Sequence, residues 1–320
     1  MNHYHFVGVD IAKDKFDAVI LREKKQHKVF TNSITGFKSF VVWLKKETPL
    51  PWVCMEATGH YSEPLAEYLS QETIRISMVN PLQIKNYSKA LLTRNKNDKL
   101  DATIIAQYAQ QMKPREFVPR KEEQKSVREF TQLLETLKKQ LTALKNQEES
   151  TRTAAAQKAL KKAILSLENQ IKALEEELKE IVNENASLSA AVKLLKSIKG
   201  IGEVSAYSIL AYLPDLTYFD NAKQLAAYIG LSPRQYESGK MKGKTSLTCF
   251  GHARLRKVLY MPALSAKRHN QALKPFVLRL EKNGLKPKAI VGALMRKLAH
   301  IIFGILKHGK PFDAALACAS

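Results

Sequence analysis

Cysteine is nearly missing from this chain: Cys54, Cys249 and Cys318 are its three copies in 320 residues. Odd in number and far apart, they give no disulfide framework and no zinc spacing, and they suit a reducing cytoplasm. Acid is the second shortage, with 30 Asp and Glu against 52 Lys and Arg and a formal net charge of +22. The deficit is uneven: from Arg234 to Lys310 there are 18 basic residues and two acids, Glu237 and Glu281. Such a surface calls for a polyanion, whose phosphates release counterions on contact. No lipidation signal accompanies the charge, so nucleic acid fits better than a membrane. An uninterrupted membrane-length apolar run is missing as well. The segment Ala289 to Leu306 contains Arg296, Lys297 and His300 and reads as a buried helix. A secretory leader pattern is also lacking, and a cytoplasmic location is expected.

Glycine and proline are absent from Glu122 to Lys199. Within that stretch Leu160, Ile164, Leu167, Ile171, Leu174, Leu178, Ile181, Leu188, Val192 and Leu195 follow alternating steps of four and three. Asn185 occupies an in-register core position, as a polar residue that fixes the register of a coiled coil does. Leu134, Leu137, Leu141 and Leu144 repeat the spacing in an earlier arm. The polar segment Gln147 to Thr153 predicts a reversal between the two, either as an antiparallel hairpin or as arms pairing with another protomer.

Before this region, short β-like runs precede and then alternate with helical ones. Strands are predicted at His5–Val9, Phe16–Leu21, His27–Thr31, Trp52–Met55 and Ile74–Val79. Helices are predicted at Phe37–Lys46, Tyr61–Ser70, Pro81–Leu91 and Asp98–Gln111. The pattern implies a mixed sheet with helices on its faces, the arrangement of a ribonuclease-H-like fold. The fold class is α/β plus α: a ribonuclease-H-like domain over 1–118, a coiled-coil region over 119–193 and a basic, mostly helical domain over 194–320.

Four acids stand out in this first part. Asp10 and Glu56 follow apolar runs, as carboxylates at strand ends; Asp98 and Asp101 lie three apart, on one helix face. Gathered carboxylates repel one another unless a cation neutralises them. Hard oxygen ligands favour Mg²⁺, with Mn²⁺ as a substitute, and paired ions of this kind drive phosphodiester chemistry. Asp14 and Asp17 read as surface or turn residues outside that set.

Past the helical region, Lys199-Gly200-Ile201-Gly202 lies between two helical runs, a helix-hairpin-helix pattern whose glycines let backbone N–H groups approach a phosphate. The loop from Gly230 to Lys244 is rich in Gly and small polar residues. It carries Arg234, Lys240, Lys242 and Lys244 as phosphate contacts, and Ser238 and Tyr236 as candidate nucleophiles that need activation. His252, Arg254, Arg256 and Lys257 are further candidates for the nucleic-acid backbone.

Gly8-Val9-Asp10-Ile11-Ala12-Lys13, Met55-Glu56-Ala57-Thr58-Gly59, Asn97-Asp98-Lys99-Leu100-Asp101-Ala102 and Gly230-Leu231-Ser232-Pro233 with Ser238-Gly239 occur in that order. Over nearly the whole chain this resembles the DEDD transposases of bacterial insertion sequences, the bridge-RNA-guided recombinases. The resemblance implies a Holliday-junction-resolvase-like domain binding Mg²⁺ through Asp10, Glu56, Asp98 and Asp101. It implies that Ser238 attacks DNA and forms a covalent 5′-phosphoserine intermediate. It also implies a composite active site across protomers, in a dimer or tetramer on DNA, with donor and target chosen by an element-encoded noncoding RNA. One departure is visible: where the family commonly reads Ser-Lys-x-Gly, this chain has Thr248-Cys249-Phe250-Gly251. Two other readings are a junction-resolving nuclease that uses activated water and a non-catalytic nucleic-acid scaffold.

Overall fold

A computed structural model of the protein describes residues 5–47, 49, 51–92, 97–234, 237–238, 241–242, 246–248 and 250–314. Backbone contacts divide the chain into two compact units, 1–119 and 120–320.

The first unit is built on five strands: β1 (Phe6–Ile11), β2 (Lys15–Ile20), β3 (Gln26–Thr31), β4 (Trp52–Glu56) and β5 (Ile76–Val79). β1 to β3 form an antiparallel meander, β4 and β5 run parallel to β1, and the sheet order is β3-β2-β1-β4-β5. The helices are α1 (Ile34–Leu44), α2 (Glu63–Gln71), α3 (Pro81–Ala90) and α4 (Asp98–Met112). These nine elements agree with the expected ones to within a few residues at their ends. Strand alternation divides the apolar residues between two layers. Val7, Val9, Val53 and Met55 pack with Phe37 and Phe40 of α1 and Leu65 and Leu69 of α2. On the other face Phe6, Trp52 and Cys54 pack with Ile84 of α3 and Ile104, Ile105 and Tyr108 of α4.

The second unit begins with a pair of long helices, α5 (Glu122–Ser150) and α6 (Ala154–Glu184), which pack on each other as an antiparallel hairpin. Lys138–Glu175 and Lys145–Glu168, each at 2.6 Å, cross between them. Such half-exposed pairs contribute about 0–1 kcal/mol each, so the apolar seam carries the hairpin. Here the structure departs from the expected continuous seam. Asn185 ends α6 with extended backbone and caps α7 (Ala186–Lys196), its side chain accepting the Leu188 amide at 3.0 Å. Leu188, Val192 and Leu195 therefore belong to a new helix, buried in the core of this unit.

The helices α8 (Glu203–Tyr212), α9 (Ala222–Ile229), α10 (Ala253–His269), α11 (Lys274–Lys282) and α12 (Pro287–His308) complete it. Between α9 and α10 lie two small ladders. In one, β6 (Pro233–Arg234) pairs with β9 (Ser246–Leu247); in the other, β7 (Glu237–Ser238) pairs with β8 (Met241–Lys242). Among the described residues α12 alone is long and apolar enough to cross a membrane, yet 61% of its most apolar window is buried within the protein. Ile290, Leu294, Leu298 and Ile302 supply that burial. Leu134 of α5 and Ile171 of α6 share the same core cluster, so the hairpin and the helices after it are one packed body.

Candidate active site

Asp10 is the fifth residue of β1 and Glu56 the last of β4. The parallel register that pairs Val9 with Met55 sets Asp10 and Glu56 side by side at the carboxyl ends of adjacent strands. By strand alternation they face away from Val9 and Met55, toward the layer that α4 covers. α4 reaches this layer through Gly8, two residues before Asp10 on the same face. A Cβ at Gly8 would lie 2.0 Å from the Ala102 carbonyl oxygen and 2.4 Å from the Ala106 nitrogen. No side chain fits there, and that is why the helix backbone sits directly on the strand. One turn before Ala102 is Asp98, with Asp101 on the same face.

Asn97 caps α4, its side chain accepting the Leu100 amide at 2.8 Å, and the two acids fill the first turn. Negative charge is favoured at that end of a helix, by up to about 1 kcal/mol for an exposed site. The structure thus brings Asp10, Glu56, Asp98 and Asp101 to one end of one face. It does not close them into a cage: among the described residues no three His, Cys, Asp or Glu stand close enough to hold a metal ion. The donor set fits a hard divalent cation by its chemistry, and a cation already stands at Asp98. The Lys15 ammonium donates to Asp98 Oδ2 at 2.8 Å.

Lys15 belongs to a small network that the sequence reading missed. Asp17, expected at a surface turn, is 5% exposed and is a partner of Asp10 across the β1–β2 ladder. Opposed residues in an antiparallel pair share a face, so Asp17 is a fifth carboxylate beside Asp10. Its Oδ1 lies 2.6 Å from His27 Nε2 and its Oδ2 3.4 Å from Lys15 Nζ. Asp98 and Asp17 together raise the Lys15 pKa, the Asp98 hydrogen bond most of all. Behind the acids, Cys54 is buried, and its thiol pKa is pushed up to about 12, first by desolvation and then by Glu56. It stays an inert thiol.

In the second unit the backbone places Ser238 opposite Met241 in the β7–β8 ladder, with Glu237 opposite Lys242. Tyr236, Lys240, Lys244 and Cys249 lie outside the described residues. The loop is closed at its base. Thr248 N donates to Ser232 O at 3.0 Å, Arg256 to Ile229 O at 2.9 Å and Arg296 to Leu231 O at 3.1 Å. His252 N donates to Tyr228 O at 2.7 Å, and a Cβ on Gly251 would lie 2.4 Å from that same oxygen.

His252 itself caps α10, with Nδ1 accepting the Leu255 amide at 3.1 Å and its ring stacked on Tyr228. It therefore serves as a structural cap of α10. Arg256 is likewise half-buried and engaged with a carbonyl, whereas Arg234, Arg254 and Lys257 are exposed.

The helix-hairpin-helix expectation falls on α7 and α8. Gly200 has φ +118, and its Cβ would lie 2.9 Å from the Ala266 nitrogen, so this glycine serves packing against α10. Lys199 is exposed, and its carbonyl accepts from Asn270 Nδ2 at 3.1 Å. Gly202 caps α8, with open space where a side chain would be. Glu203 beside it faces Lys196 at 3.7 Å.

Comparison with known proteins matches residues 7–152 to a DEDD transposase model of the IS110 type and residues 192–278 to the "Transposase IS116/IS110/IS902 family". The "Pilin gene-inverting protein" of Moraxella bovis is 32% identical over 315 residues, spanning 96% of this chain and 97% of that protein. The "Transposase for insertion sequence element IS1111A" of Coxiella burnetii is 28% identical, spanning 96% and 90%. With both models matched in order and a relative similar from end to end, the chain belongs to the IS110/IS116 family of transposases and is a DNA transposase or recombinase.

Proposed function

We propose that this enzyme exchanges DNA strands by transesterification, with Asp10, Glu56, Asp98 and Asp101 holding Mg²⁺ and Ser238 as nucleophile. The observation that carries the reading is the convergence of the four acids, from two strands and one helix, at one end of one sheet face. The strand order β3-β2-β1-β4-β5 supports a ribonuclease-H-like fold for this unit. When bound, Mg²⁺ supplies charge neutralisation at the reacting phosphate and activates a nearby hydroxyl.

The chain's own groups do the rest. Ser238 Oγ forms a bond to the scissile phosphorus, the bond from phosphorus to the 3′-oxygen breaks, and the proton lost by the serine ends on that leaving oxygen. The 5′-phosphoserine ester conserves the energy of the phosphodiester. A new 3′-hydroxyl can then displace the serine, which recovers its proton, without ATP. Exposed Arg234, Arg254 and Lys257 bind phosphates without reading bases. Sequence choice is assigned to an element-encoded RNA that pairs with donor and target, a division of labour used by other RNA-guided effectors. We assign the active form to a dimer or tetramer on DNA in the bacterial cytoplasm.

The likeness to pilin gene-inverting proteins favours a second outcome of the same chemistry, inversion of a segment instead of insertion. The deciding experiment is a covalent trap. Protein, Mg²⁺, RNA transcribed from the flank of the gene and labelled donor DNA are incubated, denatured and scored for DNA-linked protein. The adduct is expected in the wild type and in Tyr236→Phe and is lost in Ser238→Ala and Asp10→Asn. Nicked DNA without an adduct, indifferent to Ser238→Ala, would instead identify a nuclease using activated water.

A further inference from the structure

We infer that Lys15 is a cation built into the active site: its ammonium holds the Asp98 carboxylate in the resting protein and must leave before that carboxylate can serve a divalent ion. This rests on the Mg²⁺ reading proposed above. The Lys15 to Asp98 contact, 2.8 Å across 83 residues of sequence, takes an oxygen lone pair that a metal would use. Lys15 is steadied from behind by Asp17, whose side chain is 6% exposed and whose other oxygen is occupied by His27 at 2.6 Å. Asp17 therefore cannot swing out, whereas Asp98, on the first turn of α4 with its side chain 58% exposed, faces solvent.

A monovalent ammonium in an exposed pair is a weak competitor, and its positive charge also opposes an incoming cation across a few ångströms. Lys15 thus acts as a positioning residue that sets the threshold for metal entry. It does not touch the reacting atoms in this role.

The test is Mn²⁺ titration of the full chain without DNA, read by electron paramagnetic resonance of the unbound ion. Because the Lys15 side chain is 50% exposed, Lys15→Met should keep the wild-type melting curve. We expect K15M to bind Mn²⁺ roughly two- to tenfold more tightly, the size of effect a weak exposed pair allows. Lys15→Arg should bind like the wild type, and the gain should vanish when Asp98→Asn is added to K15M. Equal or weaker binding by K15M, with binding still lost in Asp10→Asn, would overturn the role of Lys15 and leave the metal reading standing. Absence of Asp10-dependent binding in every protein would overturn the metal reading and this inference with it.

Discussion

The imidazole of His252 lies between Tyr212 and Tyr228, and its Nδ1 accepts an amide proton from Leu255, an arrangement open only to the neutral ring. Burial, reinforced by Arg120, Arg128 and Arg254, lowers its pKa from 6.5 to about 4. The folded pKa is thus below the unfolded one, and the unfolded chain binds the extra proton first. The stability contributed by the neutral ring is whole above pH 6.5 and is lost as pH falls from 6.5 toward 4. The loss is at most about 1.4 kcal/mol per pH unit within that window. Urea unfolding followed by tyrosine fluorescence across the window should show this slope, and His252→Asn, which keeps a capping oxygen, should flatten it. An unchanged slope in that variant would exclude His252 as its source.

Single residues were legible where their chemistry was unusual. Asp10, Glu56, Asp98 and Asp101 were singled out from apolar runs and spacing, and their elements bring them to one end of one sheet face. Asp17 was not, because only the β1–β2 register sets it opposite Asp10, and an acid two positions after a lysine reads as surface.

At the level of elements, the turn between α7 and α8 separates two glycines that look equivalent in sequence. Gly200→Ala forces a positive φ of 118° on alanine and drives its Cβ to 2.9 Å from Ala266, so it should cost about 1–3 kcal/mol in thermal unfolding. Gly202→Ala meets open space and should melt within about 1 kcal/mol of the wild type. If the hairpin contacts phosphate through this turn, the same variant should lower duplex affinity in a fluorescence-anisotropy titration. Unchanged affinity in Gly202→Ala would remove the turn from the DNA path. The strands and helices of the first unit were legible because their apolar residues follow clean periods of two and 3.6. The break at Asn185 was not, since Leu188, Val192 and Leu195 continue the heptad phase although they belong to a separate helix, α7. Periodicity reports which face is buried but not against what.

Across the whole molecule the charge is uneven: the four candidate metal-binding acids belong to the first unit, and the stretch of 18 basic residues and two acids from Arg234 to Lys310 belongs to the second. Duplex affinity should therefore fall steeply with salt. Replacing exposed Arg254 and Lys257 together by Gln should reduce the slope of log K against log salt by about two, equally on unrelated sequences. Arg256→Gln should leave the slope unchanged while lowering stability, because its guanidinium is bound to Ile229 O. This partition was visible in composition alone; the closure of the serine loop was not, because its bonds join residues far apart in sequence. That closure has a consequence for how such enzymes diversify. The two ends of the segment from Ser232 to Thr248 are tied to each other, Thr248 N to Ser232 O and Pro233–Arg234 to Ser246–Leu247. Changes of length between those tied ends should leave α9 and α10 in place, so the part of the chain between them can be rewritten while the framework that presents it is inherited intact.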